Sequence, residues 1–489
     1  MTSGKVQNAW RRGILCLVAA YCLAHVCVTA VWMLSPWVSE YREWAQADAA
    51  LQFFGLHGGE LYGGPEASTF YVYGILFPFL GYFFTLLSGL DVLLVLRLLS
   101  YLSALAAGGV AAWLVFRRSG DKLLALTAFA FLLTADWHNV TGTATPAPLG
   151  TLLMLCALAA AERGRVGWSA LLTVACFFVK PYFVGIWLPL QAFFFLKSRR
   201  QGWWYLLGCA AVGFATAFAV HALYPNYFVY NVVHHLAAAS SVPAHLLRQI
   251  ALSAVFYGPL FVLFAYGAKR LGRDFFRDAY ALSALLLFAM WLRLGLHTGA
   301  FMSYVFHFWL PPLVVFALPW LAKLEASRLR TAFLGGIAVL SLWLAAFYLT
   351  LPLPPTHAER RQWEQAAAAL DVLPRDSTLC LSPVLASRAA ALSLPSRDNG
   401  MVQFYSTLAS PSPLVQRLFP ETLAFQADAA THDAQLLRRR AGDLFPYVVA
   451  DERSVLSPDS LRACGYVPLR VDTLRVGVHR ICVSQYRLQ

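Results

Sequence analysis

Between residues 13 and 351 the chain repeats one pattern: apolar stretches of 13–25 residues, broken by short segments that hold most of its lysines and arginines. A bilayer leaves no water for backbone N–H and C=O groups, so such stretches must satisfy their own hydrogen bonds and fold as helices. Over the whole chain 59% of residues are hydrophobic and 13% charged, with a mean hydropathy of +0.58. Soluble domains run near 25% charged. The composition therefore describes a polytopic α-helical membrane protein.

The apolar runs predict eleven spans, at 13–34, 92–116, 122–136, 147–162, 168–180, 182–197, 203–223, 246–267, 279–294, 303–322 and 331–351. The first lacks a small-residue cleavage site and reads as an anchor. The pair at 168–197 reads as a hairpin turning at Lys180-Pro181. At Leu351-Pro-Leu-Pro-Pro355 the hydrophobic pattern stops, because prolines end helices and stiffen linkers. Residues 1–353 form the membrane domain and 354–489 a soluble tail.

The charge is unevenly placed. Residues 1–353 carry 23 Lys/Arg against 12 Asp/Glu, and the tail carries 15 against 13. Eighteen of the 23 bases fall in six inter-helix segments: Lys5/Arg11/Arg12, Arg117/Arg118/Lys122, Arg163/Arg165, Lys197/Arg199/Arg200, Lys269/Arg270/Arg273/Arg277 and Lys323/Arg328/Arg330. They alternate with base-poor loops, as the positive-inside bias requires, and exclude a continuous nucleic-acid groove. The N-terminus is thus predicted in the cytoplasm and the tail outside. Counting the aromatic run at 71–89 as a span would put every later basic segment on the wrong side, so it is predicted to lie at the outer interface. Residues 35–91 then form one first outer loop.

The tail alternates a helix near 359–373 and helical stretches at 384–392, 411–419 and 431–441 with short apolar strands at 378–382, 447–450, 466–471 and 476–484, a small α/β domain. It has no Gly-rich phosphate loop and no G-x-S-x-G. Among nine cysteines, Cys380, Cys464 and Cys482 fall in the tail, leaving one disulfide open, Cys464–Cys482.

Acids concentrate in the first loop: Glu40, Glu43, Asp48, Glu60, Glu66 and Asp91. In "EYREWAQAD" (40–48), helical spacing puts Glu40 and Glu43 one turn apart, sharing a face with Ala47. A carboxylate beside a low-dielectric surface gains basicity, which suits a general base. The same spacing fits an amphipathic surface helix with water-facing acids. Five membrane-half bases lie outside the basic segments: Arg42, Arg97, Lys180, Arg248 and Arg293. Cations against the charge bias are candidates for phosphate, with snorkelling to lipid as the alternative. For Arg97 the partners at hand are Asp91 or an interfacial lipid.

The series "EYREWAQAD", "GGELY" (58–62), "TFYVYGILFPFL" (69–80), "RLLSYLSALAAGGVAAWLVFRR" (97–118), "TGTATPAPLGTLLMLCALAA" (141–160) and "FFVKPYFVGIWLPLQAFFFLKSRR" (177–200) resembles the GT-C superfamily of polyprenyl-phosphate-sugar-dependent membrane glycosyltransferases. The likeness covers most of 1–200 and, more loosely, "GLHTGAFMSYVFHFWLPPL" (295–313). It implies an inverting transferase at the outer face of a bacterial cytoplasmic membrane, taking a sugar from a polyprenyl-phosphate donor to a lipid, glycan or protein hydroxyl. Glu40 matches the first-loop general base by position, with Glu43 and Glu60 in reserve. Lys180, in the family's Lys-Pro turn, is the first candidate for the donor phosphate, followed by Arg293 and His297. Tyr41, Trp44, Tyr62, Tyr73, His234 and His235 are the candidates for contacting substrate. No cofactor is implied, and no ligand spacing supports a divalent cation. At Thr145-Pro146-Ala147 the chain lacks a charged pair that many relatives carry. The competing function is a transporter or flippase of a lipid-linked glycan, for which midplane charges, broken spans or inverted repeats are the expected marks.

The topology is testable. Single cysteines at Ser68 and Ser119 should react with a membrane-impermeant thiol reagent from opposite sides; reaction from one side overturns the eleven-span order.

Overall fold

A computed structural model describes residues 2–35, 41–53, 62, 71, 73–134, 143–228, 231–232, 243–295, 308–324, 356–370, 372–374, 378–380, 446–451, 458–463, 465–476 and 479–488. The helices are α1 (Thr2–Met33), α2 (Tyr41–Gln52), α3 (Leu76–Ser88), α4 (Val92–Ser119), α5 (Lys122–Thr134), α6 (Ala147–Glu162) and α7 (Val166–Val179). After the 3-10 turn Pro181–Ile186 come α8 (Trp187–Lys197), α9 (Arg199–Leu223), α10 (Pro243–Leu271), α11 (Ala279–Gly295) and α12 (Leu310–Ala322). The tail contributes α13 (His357–Ala368), α14 (Pro458–Ala463) and strands β1 (Thr378–Cys380), β2 (Tyr447–Asp451), β3 (Tyr466–Val476) and β4 (His479–Leu488).

Among the described residues, three helical stretches are long and apolar enough to cross a bilayer: Arg11–Met33, Val92–Ser119 and Arg199–Leu223. A fourth candidate is the pair Tyr257–Arg277 and Ala279–Leu292, bent by 97° at their junction. On α9, Phe214 and Phe218 are 77% and 78% exposed, a surface suited to lipid. Among the described residues the other apolar helices are too short to cross by themselves, although α6 reproduces the predicted run 147–162. The hairpin pair at 168–197 becomes α7, of 14 residues, then the 3-10 turn and α8, of 11 residues. The break falls where expected: Lys180, forced out of the helical region by Pro181, is extended at φ −159° and ψ 123°. The predicted span 331–351 lies outside the described residues.

The aromatic run 71–89 yields α3, whose 13 residues reach about 20 Å, against a hydrocarbon core of about 30 Å. Phe79, Phe83, Phe84 and Leu87 are exposed on it, while Phe77, Pro78 and Gly81 are buried. Gly89, at φ +68°, ends it; Asp91 then caps α4, accepting from Leu93 N (2.9 Å) and Leu94 N (3.2 Å).

α4 packs against α5, α6 and α12, α6 against α7, and α9 against α7 and α8. The main core gathers Leu155, Leu158, Leu190, Trp291, Trp309 and Val314. At one end of this bundle the basic segments converge. Arg118 donates to Glu162 and Asp278, each at 2.9 Å, and lies 4.5 Å over the Tyr280 ring. Arg11 pairs with Asp121 beside a cleft of about 510 Å3 that includes Arg12, Lys122 and Ala322.

The tail's strands form one sheet in the order β1-β2-β4-β3, with β1 parallel to β2 and the other neighbours antiparallel. α13 opens with a capping box between Thr356 and Glu359 and buries Ala366, Ala367 and Leu370 against Val449, Leu474 and Val483. The two strands predicted at 466–471 and 476–484 are longer, forming a hairpin in which Val476 pairs with His479. Asp472, Thr473 and Arg475 disguised this, because among the described side chains of 472–475 only Leu474 turns into the core. Cys482 sits opposite Thr473, with 3.8 Å between Sγ and Oγ1; Cys464 and the helical stretches at 384–392, 411–419 and 431–441 lie outside the described residues.

One glycine is decisive. A Cβ on Gly74 would stand 2.1 Å from the Phe178 carbonyl oxygen, so only glycine lets this segment lie on the end of α7. Gly74→Ala should therefore cost about 1–3 kcal/mol, read as a lower thermal unfolding temperature of the full chain in detergent. An unchanged temperature contradicts this contact.

Candidate functional site

The end of the bundle opposite the basic segments is organised by α2. As predicted, its Glu43 and Ala47 share a face, now with Ala50, and this face is turned inward; Ala47 and Ala50 pack with Phe77, Val92, Leu93 and Leu96. The acids do not face water. Glu43 is 0% and Asp48 7% exposed.

Glu43 meets Arg97, 54 residues away, through two hydrogen bonds: Nε to Oε1 at 2.7 Å and Nη2 to Oε2 at 3.0 Å. The Ala144 N–H also donates to Glu43 Oε1 at 2.9 Å, and Arg97 Nη1 donates to the carbonyls of Met33 (3.0 Å) and Ser35. The partner expected for Arg97 is thereby corrected: Asp91 is occupied as the α4 cap, and the guanidinium turns inward to Glu43. A lone charge in a long apolar helix must find a counter-ion, which was the available signal. Sequence spacing alone did not identify which acid supplied it.

Asp48 is one of the loop acids that spacing alone does not single out. Burial pushes its carboxyl up to about 7, and the Gln52 Nε2 donation at 3.1 Å offsets this only in part. A carboxylate poised near neutrality has the basicity that proton abstraction needs.

Beside α2 lies an aromatic cluster. Tyr62 meets Tyr71, Tyr224 and Tyr227 at centroid distances of 5.9, 5.6 and 4.9 Å. The Tyr62 hydroxyl donates to the Tyr73 carbonyl at 2.7 Å, and Tyr71 donates to Gln46 of α2. Burial pushes both phenols well above their ordinary value, so they remain neutral donors. With Gly74 against Phe178, these contacts bring Tyr73 to Lys180: the ammonium lies 5.0 Å from the Tyr73 ring centre and 5.1 Å from that of Tyr182. Cation–π contact holds the ammonium without neutralising its charge. Tyr182 was not anticipated, although its position directly after the Lys-Pro turn was the clue.

From the residues flanking Lys180 an apolar groove of about 400 Å3 runs between α7 and α9, lined by Val174, Phe177, Val184, Trp187, Ala210 and Phe214. Of the other expected site residues, Tyr41 and Trp44 lie one turn apart on α2 and Arg293 on α11; their side chains are outside the description. Glu40, Glu60, His234, His235 and His297 lie outside the described residues.

No protein-family model and no curated protein matches the sequence. Solved structures do match. ArnT from Cupriavidus metallidurans bound to undecaprenyl phosphate aligns over 96% of this chain and 97% of its own, at a TM-score of 0.55 and 16% identity. The same protein in the apo state aligns over the same shares at 0.56 and 14%. The oligosaccharyltransferase of Archaeoglobus fulgidus, in the apo form, aligns over 90% of this chain and 69% of its own, at 0.53 and 12%. At these identities the likeness establishes architecture: the chain shares the fold of ArnT and of this oligosaccharyltransferase.

Asp48 gives a pH prediction. An acid raised from 3.8 to about 7 binds its proton more tightly folded than unfolded, so stability falls as pH rises from about 4 to 7 and levels above. The unfolding temperature of the wild type should fall more steeply between pH 5 and 8 than that of Asp48→Asn. Parallel profiles contradict the burial of this charge.

Proposed function

We propose that the chain is an inverting membrane glycosyltransferase that moves a sugar from a polyprenyl-phosphate donor to a hydroxyl acceptor at the outer face of a bacterial cytoplasmic membrane. The observation that carries this reading is Lys180, held between two tyrosine rings where the apolar groove reaches the end of α7. A lipid phosphate needs this pairing: a cation for the head and an apolar channel for the tail. The undecaprenyl phosphate bound to ArnT supports the same class of donor. Arg293 and His297 are proposed to complete the phosphate site, and Tyr41, Trp44, Tyr62, Tyr73, His234 and His235 the sugar and acceptor contacts.

The chemistry asks for one base. The acceptor oxygen attacks the anomeric carbon as the bond to the phosphate oxygen breaks, and the polyprenyl phosphate leaves with that electron pair. The acceptor proton passes to a first-loop carboxylate, Glu40 by position, with Asp48 as the buried acid best tuned for it and Glu60 in reserve. The orientation follows the charge bias: the converged basic end faces the cytoplasm and the α2 end faces out. Arg360 of α13 donates to the Leu34 carbonyl at 3.3 Å, which supports a tail on the same side as α2. The 97° bend falls among Arg270, Arg273 and Arg277, at the basic end and away from the midplane where a transporter breaks its helices, so it does not favour a flippase.

The test is transfer by the purified full chain in lipid nanodiscs, supplied with polyprenyl-phosphate sugars. Glu40→Gln should lower kcat by about 10²- to 10⁴-fold. Lys180→Ala should weaken donor affinity by about 10- to 100-fold, as expected for a lost charged hydrogen bond. Full turnover in Glu40→Gln moves the base to another acid, and no transfer from any such donor by the wild type sinks the reading.

A further inference from the structure

Arg97 and Glu43 are 1% and 0% exposed. Taking an ion of this kind out of water costs several kcal/mol even after relaxation, and it is repaid only where geometry is good and the remaining donors and acceptors are satisfied. Here they are well used. The guanidinium fork closes on both carboxylate oxygens, its Nη1 reaches two carbonyls at the end of α1, and the carboxylate takes the N–H of Ala144 ahead of α6. One pair therefore joins four segments: the end of α1, α2, α4 and the turn entering α6.

Among the described side chains of α2, few large apolar groups are buried. The helix has 12 residues, too few to persist in isolation, and among its described side chains the fully buried apolar ones are Ala47, Ala49 and Ala50, with Leu51 partly buried beside them. Alanines bury little area, so the helix is fixed mainly by its polar anchors: Glu43 to Arg97, and Gln46 to Tyr71. Asp48 rides on this helix and Glu40 directly precedes it. Glu43 itself is poorly suited to take a proton, since both oxygens are engaged and protonation would strand a buried guanidinium.

We infer that Arg97 and Glu43 are positioning residues, a buried clamp that fixes α2 and so sets where the neighbouring first-loop carboxylates meet the acceptor. This rests on the transferase reading for its catalytic consequence, but not for the clamp itself. Arginine is required at 97. Lysine keeps the charge yet cannot present a planar fork to the carboxylate while also reaching the α1 carbonyls.

The experiment uses the full chain in nanodiscs with Arg97→Lys, read three ways. Amide hydrogen exchange across 41–52 should speed at least tenfold. With a polyprenyl-phosphate sugar donor, kcat should fall by at least 30-fold while donor KM stays within threefold. The acid limb of the kcat–pH profile should keep its position, because the base is untouched. Glu43→Gln should likewise keep the acid limb at reduced kcat. Exchange at the wild-type rate in Arg97→Lys overturns the clamp. So does Glu43→Gln if it abolishes the acid limb without loosening 41–52, which would make Glu43 the base. If the wild type transfers no sugar, the transferase reading fails, and the exchange arm still decides the clamp. Where Arg97→Lys does not fold, Glu43→Asp, shorter by one methylene, takes its place in the exchange measurement: faster exchange across 41–52 supports the clamp, and the wild-type rate overturns it.

Discussion

A guanidinium and a carboxylate buried together tie one end of this molecule into a piece. Arg97 and Glu43 come from helices 54 residues apart in sequence, and through them the end of α1 and the entry to α6 are joined as well. Removing one partner of such a pair typically costs about 3–5 kcal/mol, because the other charge is left in a medium that cannot solvate it. The architecture around the pair depends on that cost. Among the described side chains of α2 the fully buried apolar ones are alanines, so charge and hydrogen bonding carry much of its placement.

The two ends of the bundle use the same residue types in opposite ways. At the basic end, Arg118, Arg11 and their acids are partly solvated and bridge helices beside a wide cleft. At the α2 end, three of the described charges are closely housed: Arg97 in a fork, Asp48 against Gln52, Lys180 between two rings. Low polarity around the last two has chemical consequences. It raises the basicity of a carboxylate and strengthens the pull of an ammonium on a phosphate. Gly74 contributes by its lack of a side chain, since the Tyr73 ring reaches Lys180 only because the next residue can rest on the Phe178 carbonyl.

Much of this was legible in the chain. The basic segments between Arg117 and Arg277 marked helix ends, the aromatic run 71–89 yielded a short helix with an exposed apolar face, and the Lys-Pro step marked the break after α7. The spacing put Glu43 and Ala47 on one face of α2 but left open whether that face turns inward or to water. Two kinds of information were not there. Which acid neutralises Arg97 is a matter of tertiary register, and the nearer Asp91 was already needed as a helix cap. Helix length was the other: apolar runs that read as full spans are interrupted by prolines and 3-10 turns, as at 181–186, because protein packing satisfies backbone groups that lipid would not. The tail's hairpin was underestimated for a related reason, since in 472–475 a single apolar residue, Leu474, is too little alternation to betray it.

The central claim, that a lipid phosphate is held by Lys180 with its tail in the groove between α7 and α9, is most directly tested by a photoreactive polyprenyl phosphate. With the full chain in nanodiscs, the account predicts that cross-linked peptides map to 173–187 and 206–217 and that excess unlabelled polyprenyl phosphate abolishes the signal. Label spread over the lipid-facing sides of α1 and α10, unaffected by competitor, would contradict it.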